Sequence, residues 1–274
     1  SIPSRFLKNF KTIKDEKFSD EAYLKLFLKG EASLNLSDDE VILEHDFFTN
    51  PLSFSTLNLF LTCPRKYYYT KIAHIDAPKA IASELGTKQG NSVHSALFEY
   101  YTSEFYKQNN VFDLAVFKEM LAKQNLTPLE FEIWTHKFKE YEIYENERLR
   151  AGFRVLECEK EVQSEFCGVQ IKGFIDRIDV GANDDVLILD YKTGEANVNS
   201  LQLAFYEALY GGKVRSAYYA LKNEPSLVGS KKSVEDLGGE IGKLKTINKT
   251  KINFERKSGA CAFCEYVTLC RREL

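Results

Sequence analysis

Two apolar runs set the pattern in the middle of the chain. In the first, Phe174, Ile175, Ile178 and Val180 are the apolar positions; in the second, Val186, Leu187, Ile188 and Leu189 are nearly continuous. Between them, Gly181-Ala182-Asn183-Asp184-Asp185 is rich in residues that tolerate tight or left-handed backbone. The pattern predicts a β-hairpin over residues 173 to 192. Upstream, the alternation around Val155, Glu157, Glu159 and Glu161 predicts a strand from Phe153 to Val162. Downstream, a helix from about Ser200 to Tyr210 leads to a strand from Lys213 to Leu221. Strand, helix and strand in that order describe a crossover unit in a mixed sheet.

Helical periodicity fills much of the rest. Ser53 is placed to cap a helix whose apolar face is Leu57, Leu59, Phe60 and Leu61, and Pro64 predicts a kink or restart before Tyr67-Tyr68-Tyr69. A second helical stretch covers residues 84 to 107, with His94, Leu97, Phe98 and Tyr101 expected to face inward. A helical pair follows to about Arg150, one helix lined by Phe112, Leu114, Phe117 and Leu121, the next by Phe131, Trp134, Phe138, Tyr141 and Tyr144. It reads as an insertion over about 108–150 whose aromatic stripe is core. Residues 222 to 257 are polar and predict a helix with flanking loops. The first 50 residues carry apolar groups at Phe6–Phe10 and Tyr23–Leu28, and Val41-Ile42-Leu43 reads as a short strand or helical turn. We read 1–50 as a connecting or packing segment and 51–274 as the main domain.

A hydrophobic fraction of 44% and a charged fraction of 28% are ordinary for a globular protein. No apolar run is long enough to span a membrane and the start lacks a secretory pattern, so a cytoplasmic location is expected. The start at Ser1, without a methionine, reads as that of a piece of a longer chain. The formal net charge of −3 gives no global basic signature, so any nucleic-acid surface must be local. Lys243, Lys245, Lys249, Lys251, Arg256 and Lys257 against the single acid Glu255 form one basic stretch; its default reading is a solvated face. Arg65, Lys66 and Lys71 interleave with the three tyrosines, a pattern that can hold phosphates and stack bases, or pack a core edge.

Asp176 interrupts the first run of the hairpin, Asp190 ends the second, and Lys192 shares a strand face with Asp190. A carboxylate within an apolar strand is costly unless paired or bound to metal. Two brought together by a hairpin make a hard-oxygen site suited to Mg²⁺, and a nearby lysine can stabilise phosphate or hold and deprotonate a water. The bland alternative is a surface hairpin with solvated acids. His94 becomes a third ligand if its helix packs on the hairpin; otherwise it is a core histidine. One of Glu157, Glu159 and Glu161 can join, though alternation does not choose among them. Gln202 and Tyr206 lie at i and i+4, on one helix face. Among the six cysteines, Cys261, Cys264 and Cys270 form C-x2-C-x5-C, a metal site one ligand short, with Cys63 the best fourth. Zinc and an iron–sulfur cluster both accept four thiolates. Cys158 and Cys167 read as ordinary strand residues.

Taken together, the chain from about Leu52 to Cys270 resembles the RecB-like branch of the PD-(D/E)xK nuclease superfamily. Gly90-Asn91-Ser92-Val93-His94 is similar to its G-x-x-x-H element, residues 173 to 179 to its G-x-x-D-R-x-D strand, Asp190-Tyr191-Lys192 to its D-x-K element, and Gln202 with Tyr206 to its Q-x-x-x-Y helix. Cys63, Cys261, Cys264 and Cys270 are similar to the iron–sulfur staple of a subset of these nucleases. The resemblance implies an α/β (α+β) restriction-endonuclease-like core, a mixed central sheet flanked by helices, with the helical insertion and cysteine staple added. It implies that His94, Asp176, Asp190 and the Tyr191 carbonyl bind Mg²⁺ or Mn²⁺, that Lys192 is the catalytic lysine, and that Gln202 and Tyr206 contact DNA and support the site. It further implies a 4Fe-4S cluster on the cysteines. The implied activity is exonucleolytic hydrolysis of single-stranded DNA, beside a helicase subunit or domain, in double-strand-break repair and recombination. The C-terminal nuclease domain of AddB-type helicase–nuclease subunits, which trims the 5′-ended strand, is the nearest pattern. A freestanding CRISPR-associated RecB-like exonuclease and a catalytically silent DNA-binding module are the alternatives. No G-x-x-x-x-G-K-[ST] motor loop is present, so unwinding must come from elsewhere.

Overall fold

The computed structural model describes residues 40–76 and 81–257, together with 259, 261, 264–267, 269 and 270. The apolar groups at Phe6–Phe10 and Tyr23–Leu28 lie outside the described residues. A short strand β1 (Ile42–Glu44) comes first. Ser53 then accepts from the Thr56 amide and caps α1 (Phe54–Thr62). Cys63 is extended (φ −160°, ψ 111°), so the helix stops and restarts at Pro64 in α2 (Pro64–Tyr67), where a missing N–H breaks no bond. A π-helical turn, Tyr68–Ile72, follows. Next come α3 (Ile81–Thr102), α4 (Glu104–Asn109), α5 (Leu114–Leu121) and α6 (Pro128–Arg150). Thr127 and Glu130 form a reciprocal capping box at the start of α6.

The predicted hairpin is the centre of a larger sheet. Strands β2 (Arg154–Phe166), β3 (Val169–Val180) and β4 (Val186–Lys192) form an antiparallel meander. The crossover helix α7 (Gln202–Tyr210) then returns the chain to β5 (Val214–Ala220), parallel to β4, and β6 (Ser226–Val228) closes the edge. The order β2-β3-β4-β5-β6 is a five-stranded mixed sheet flanked by helices, as expected. The β2–β3 turn is Cys167-Gly168, with φ of 52° and 70°, the positive pair that a two-residue type I′ hairpin turn requires. Cys167 is thus a turn residue, not the strand residue its neighbours suggested. In place of one helix with loops, residues 222 to 257 hold β6, α8 (Val234–Ile247) and β7 (Lys251–Asn253), which pairs antiparallel with β1. Three-residue strands carry too little pattern to show in sequence.

Each face of the sheet is covered by helices because β4 alternates inside the protein. Ile188, with Ile171, Ile175 and Ile178 of β3, packs against Leu57 of α1, Phe205 and Leu209 of α7 and Leu237 and Ile241 of α8. Leu187, Leu189 and Tyr191 point the other way, towards Val93, Leu97 and Tyr101 of α3, Phe117 and Leu121 of α5 and Trp134, Phe138 and Tyr141 of α6. The aromatic stripe of α6 is therefore core. Phe98 departs from its expected inward position and is 39% exposed, since the stripe through Val93, Leu97 and Tyr101 fills the contact. Gly173 of β3 sits under α7, where an added Cβ would meet Leu209 Cδ2 at 3.1 Å. Among the described residues, no helix is long and apolar enough to cross a membrane.

Candidate active site

The two halves of the hairpin part beyond the pair Arg177–Leu189, one step before Asp176 and Asp190. Strict alternation also breaks there, because Ile175 and Ile178 enter the same core although three residues apart. Asp176 fills the opening: its Oδ2 accepts from the Tyr191 amide at 2.9 Å. Helix α3 supplies His94, with Nδ1 3.4 Å from Asp176 Oδ2 and Nε2 3.1 Å from the Tyr191 carbonyl. Gly90, one turn earlier on α3, lies where a Cβ would meet Thr193 Oγ1 at 3.2 Å, so the helix runs close to the loop after β4. Glu159 of β2 completes the group. It lies between the register pairs Cys158–Arg177 and Lys160–Ile175, across from Asp176, with a left-handed φ of 48°. Ligand atoms of His94, Glu159 and Asp176 all fall within 4.8 Å of one another. The early acid that alternation left open is therefore Glu159; Glu157 pairs with Lys160 instead.

Charge balance in this group is incomplete. Burial, reinforced by Asp190 and Glu159, pushes the Asp176 carboxyl well above the usual carboxylate range. Burial and the Asp190 charge also raise Glu159. His94 is lowered by burial, with Lys192 adding to it against the opposing pull of Asp190, which favours neutral imidazole. A carbonyl only accepts, so Nε2 carries the proton towards Tyr191 O and the Nδ1 lone pair faces a carboxylate oxygen. Two acceptors in contact call for a proton or a cation between them.

Asp190 is 2% exposed and its two oxygens differ. Oδ1 accepts from Gln202 Nε2 at 2.8 Å and from the Tyr206 hydroxyl at 3.1 Å, and Gln202 also donates to Tyr206 at 3.0 Å. Burial and Asp190 keep the Tyr206 phenol far above its ordinary value, so it stays a donor. The i, i+4 pair on α7 thus orients Asp190. Lys192 Nζ lies 2.5 Å from Oδ2 but outside hydrogen-bonding alignment, leaving buried Oδ2 with an ion pair and no hydrogen bond. His94, Glu159 and Asp176 offer an imidazole nitrogen and two carboxylates to a divalent cation, with the Tyr191 carbonyl beside them.

Arg65 and Lys66, expected to contact DNA, are engaged within the fold. Arg65 is buried, its Nε donating to the Phe254 carbonyl at 2.7 Å, which removes it from any substrate surface. Lys66 pairs with Glu265 at 2.8 Å. Tyr67 and Tyr69 are buried, Tyr67 stacking on Phe254, so they pack the core edge. The basic stretch is likewise dispersed: Lys243 pairs with Glu240, Lys249 with Asp46, while Lys245 donates to the Cys167 carbonyl and Lys257 to that of Leu61.

Sequence reasoning missed a second polar cluster behind Tyr191. Fully buried Arg177 donates Nε to Asp179 Oδ1 at 2.6 Å, Nη2 to Glu145 Oε1 at 2.5 Å and Nη1 to the Tyr191 hydroxyl at 3.1 Å. Arg148 bridges Glu145 at 2.9 Å and Asp179 at 2.7 Å. Tyr101 and Tyr219 add hydroxyl donors to Glu145. The signal was available: the buried stripe 134, 138, 141 of α6 continues by helical spacing to Glu145 and Arg148.

Cys63, Cys261, Cys264 and Cys270 line a single cavity, shared with Lys66, Lys257 and Tyr266. The turn from Cys261 is closed by Cys264 N donating to Cys261 O at 3.1 Å, and Cys270 N donates to Tyr266 O at 2.8 Å. Cysteines from residue 63 and from the last turn of the chain thus face one cavity.

The five-stranded mixed sheet thus opens at a group of two aspartates and a lysine, Asp176, Asp190 and Lys192. A family model for the PD-(D/E)XK nuclease superfamily matches residues 51–271, and the chain belongs to that superfamily. A Rickettsia bellii protein named "Uncharacterized protein" is 28% identical over 182 residues, covering 62% of this chain and 22% of its own length. The chain thus spans about a fifth of that relative. The solved structure of "Putative exonuclease" from Eubacterium rectale is 15% identical, with a TM-score of 0.47, covering 82% of this chain and 89% of the other.

Proposed function

We propose that this domain is a divalent-metal-dependent deoxyribonuclease that hydrolyses phosphodiester bonds of single-stranded DNA. The observation that carries the reading is the meeting of His94, Glu159 and Asp176, with the Asp190–Lys192 ion pair on the strand beside Asp176. His94, Asp176, Asp190 and the Tyr191 carbonyl would hold Mg²⁺ or Mn²⁺, with Glu159 as the further acid. A bound divalent ion supplies Lewis acidity towards phosphate oxygen and water. Lys192, its ammonium beside Asp190 and over the Tyr218 ring, orients the attacking water and balances charge that develops on phosphate. Gln202 and Tyr206 fix the Asp190 carboxylate and thereby its aim.

The four cysteines would hold a structural 4Fe-4S cluster, tying the α1–α2 junction to the C-terminal turn. The thiol set and the lysines beside it support an anionic metal–thiolate group. A helicase partner, exonucleolytic trimming and a role in recombination of the AddB type belong to the same proposal, and rest on the resemblance of the motifs.

The test is degradation of end-labelled single-stranded DNA with Mg²⁺ or Mn²⁺, using anaerobically purified protein beside Asp190→Ala and Lys192→Ala. Cleavage by the wild type that both variants lose is the expected result, and product ladders from each labelled end give the polarity. Binding of DNA without cleavage by folded wild type, alone and with a helicase partner, refutes the reading in favour of a binding module.

A further inference from the structure

The G-x-x-D-R-x-D strand contributes more than Asp176. Its arginine and second aspartate, Arg177 and Asp179, take no part in the metal-side group, yet both are 0% exposed. Two guanidiniums and two carboxylates meet there in a neutral buried set: Arg177 and Arg148 against Glu145 and Asp179. Such a cluster is a weak source of stability compared with apolar side chains of the same volume, because desolvation offsets much of the attraction. What it does provide is fixed geometry, since each member is held from two or more directions.

One contact of the cluster leads into the active site. Arg177 Nη1 donates to the Tyr191 hydroxyl. The peptide of that same tyrosine faces the site on both sides: its amide donates to Asp176 Oδ2 and its carbonyl meets His94 Nε2. The Tyr191 ring is further bracketed by Tyr219 at 5.7 Å between centroids. Arg177 is in turn clamped by Glu145, which α6 carries, so half of the clamp belongs to the helical layer and half to the sheet.

We infer that the buried Arg177–Glu145–Asp179–Arg148 cluster is a positioning device that, through the Tyr191 side chain, sets where the Tyr191 peptide stands between Asp176 and His94. Arg177 and Tyr191 are positioning residues in this scheme, and the helical layer is coupled to the site through Glu145 and Arg148. The inference deepens the proposed metal-dependent nuclease reading and in part rests on it.

The variant that isolates the device is Tyr191→Phe, which keeps the ring and removes the one atom bonded to Arg177. Tyr100→Phe serves as control. It removes a fully buried hydroxyl from the same helical core, bonded to Val111 O and Asp113 N, with no bond to the cluster. Two measurements on purified chain are needed. In metal-free protein, amide hydrogen exchange at residues 190–192 is expected to speed up at least about tenfold in Tyr191→Phe and to stay at the wild-type rate in Tyr100→Phe. In a Mn²⁺ titration, Tyr191→Phe is expected to bind about 10- to 100-fold more weakly, the usual effect of removing a group that orients a metal ligand, with Tyr100→Phe unchanged. Wild-type exchange at 190–192 in Tyr191→Phe, or equal acceleration in both variants, overturns the positioning role. A wild type that takes up no Mn²⁺ while the exchange contrast holds leaves the positioning role standing and overturns the metal site of the proposed function instead.

Discussion

Glu145→Gln is a sharp perturbation of the buried cluster, because the two side chains have the same shape. Glu145 is 0% exposed and accepts four hydrogen bonds: Arg177 Nη2 and Tyr101 OH on Oε1, Arg148 Nη1 and Tyr219 OH on Oε2. All four partners donate to the carboxylate, and a glutamine amide must turn its NH₂ towards one guanidinium, which cannot accept, while the hydroxyl on that side must reverse its role. The set also changes from neutral to one net positive charge in a buried site. Removing one partner of a buried ion pair costs about 3–5 kcal/mol. At this chain length that corresponds to a Tm lower by roughly 6–20 °C. The pH dependence follows from the same contacts. Burial by itself would raise the Glu145 carboxyl, but Arg177 and Arg148 outweigh it and hold it below its ordinary value. A carboxylate depressed in the folded state contributes stability that is fully present above its unfolded pKa and is lost as pH falls through the folded one. Wild type should therefore lose stability on acidification below the ordinary glutamate range, and Glu145→Gln should show a flatter acid limb. Urea denaturation from neutral to acidic pH measures both. Adding Arg148→Met to Glu145→Gln restores neutrality and should recover part of the loss, a coupling that a double-mutant cycle reads directly. A single-variant loss within about 0.5 kcal/mol, the range of an ordinary surface change, would refute the account of the cluster.

Three further outcomes are expected. Asp176 is raised well above its usual range by burial and by Asp190 and Glu159, so ionising it destabilises the metal-free fold as pH rises. Divalent metal must displace that proton, and Mn²⁺ should therefore raise Tm more at pH 8 than at pH 6, as differential scanning fluorimetry would read; an equal shift at both would place the metal elsewhere. Gly173→Val places branches beyond a Cβ that already meets Leu209 Cδ2 at 3.1 Å, and should cost about 1–3 kcal/mol in urea denaturation through displacement of α7. Cys264→Ser should lose bound iron and its visible absorbance in anaerobic preparations; stoichiometric zinc with no iron in wild type would reassign the thiol site.

Much of this protein is determined by the sequence alone, wherever a long pattern or a short spacing carries the signal. The hairpin from Gly173 to Lys192, the crossover to β5 and the aromatic stripe of α6 follow from periodicities of two and 3.6 residues, which a buried face imposes on any chain. Asp176, Asp190 and Lys192 were visible because charge interrupts apolar runs, and Gln202 with Tyr206 because i and i+4 share a helix face. Only the tertiary structure decided what lies across the sheet. Glu159 was chosen over Glu157 and Glu161 by a local left-handed backbone and the strand register, neither of which alternation encodes. Arg65 looked like a phosphate contact by composition, but packing of α2 on Phe254 buried it. Arg177 and Glu145 lie 32 residues apart and meet only when α6 is laid on the sheet. A charge at a core position signals in sequence that it needs a partner, but which partner is a property of the packed fold.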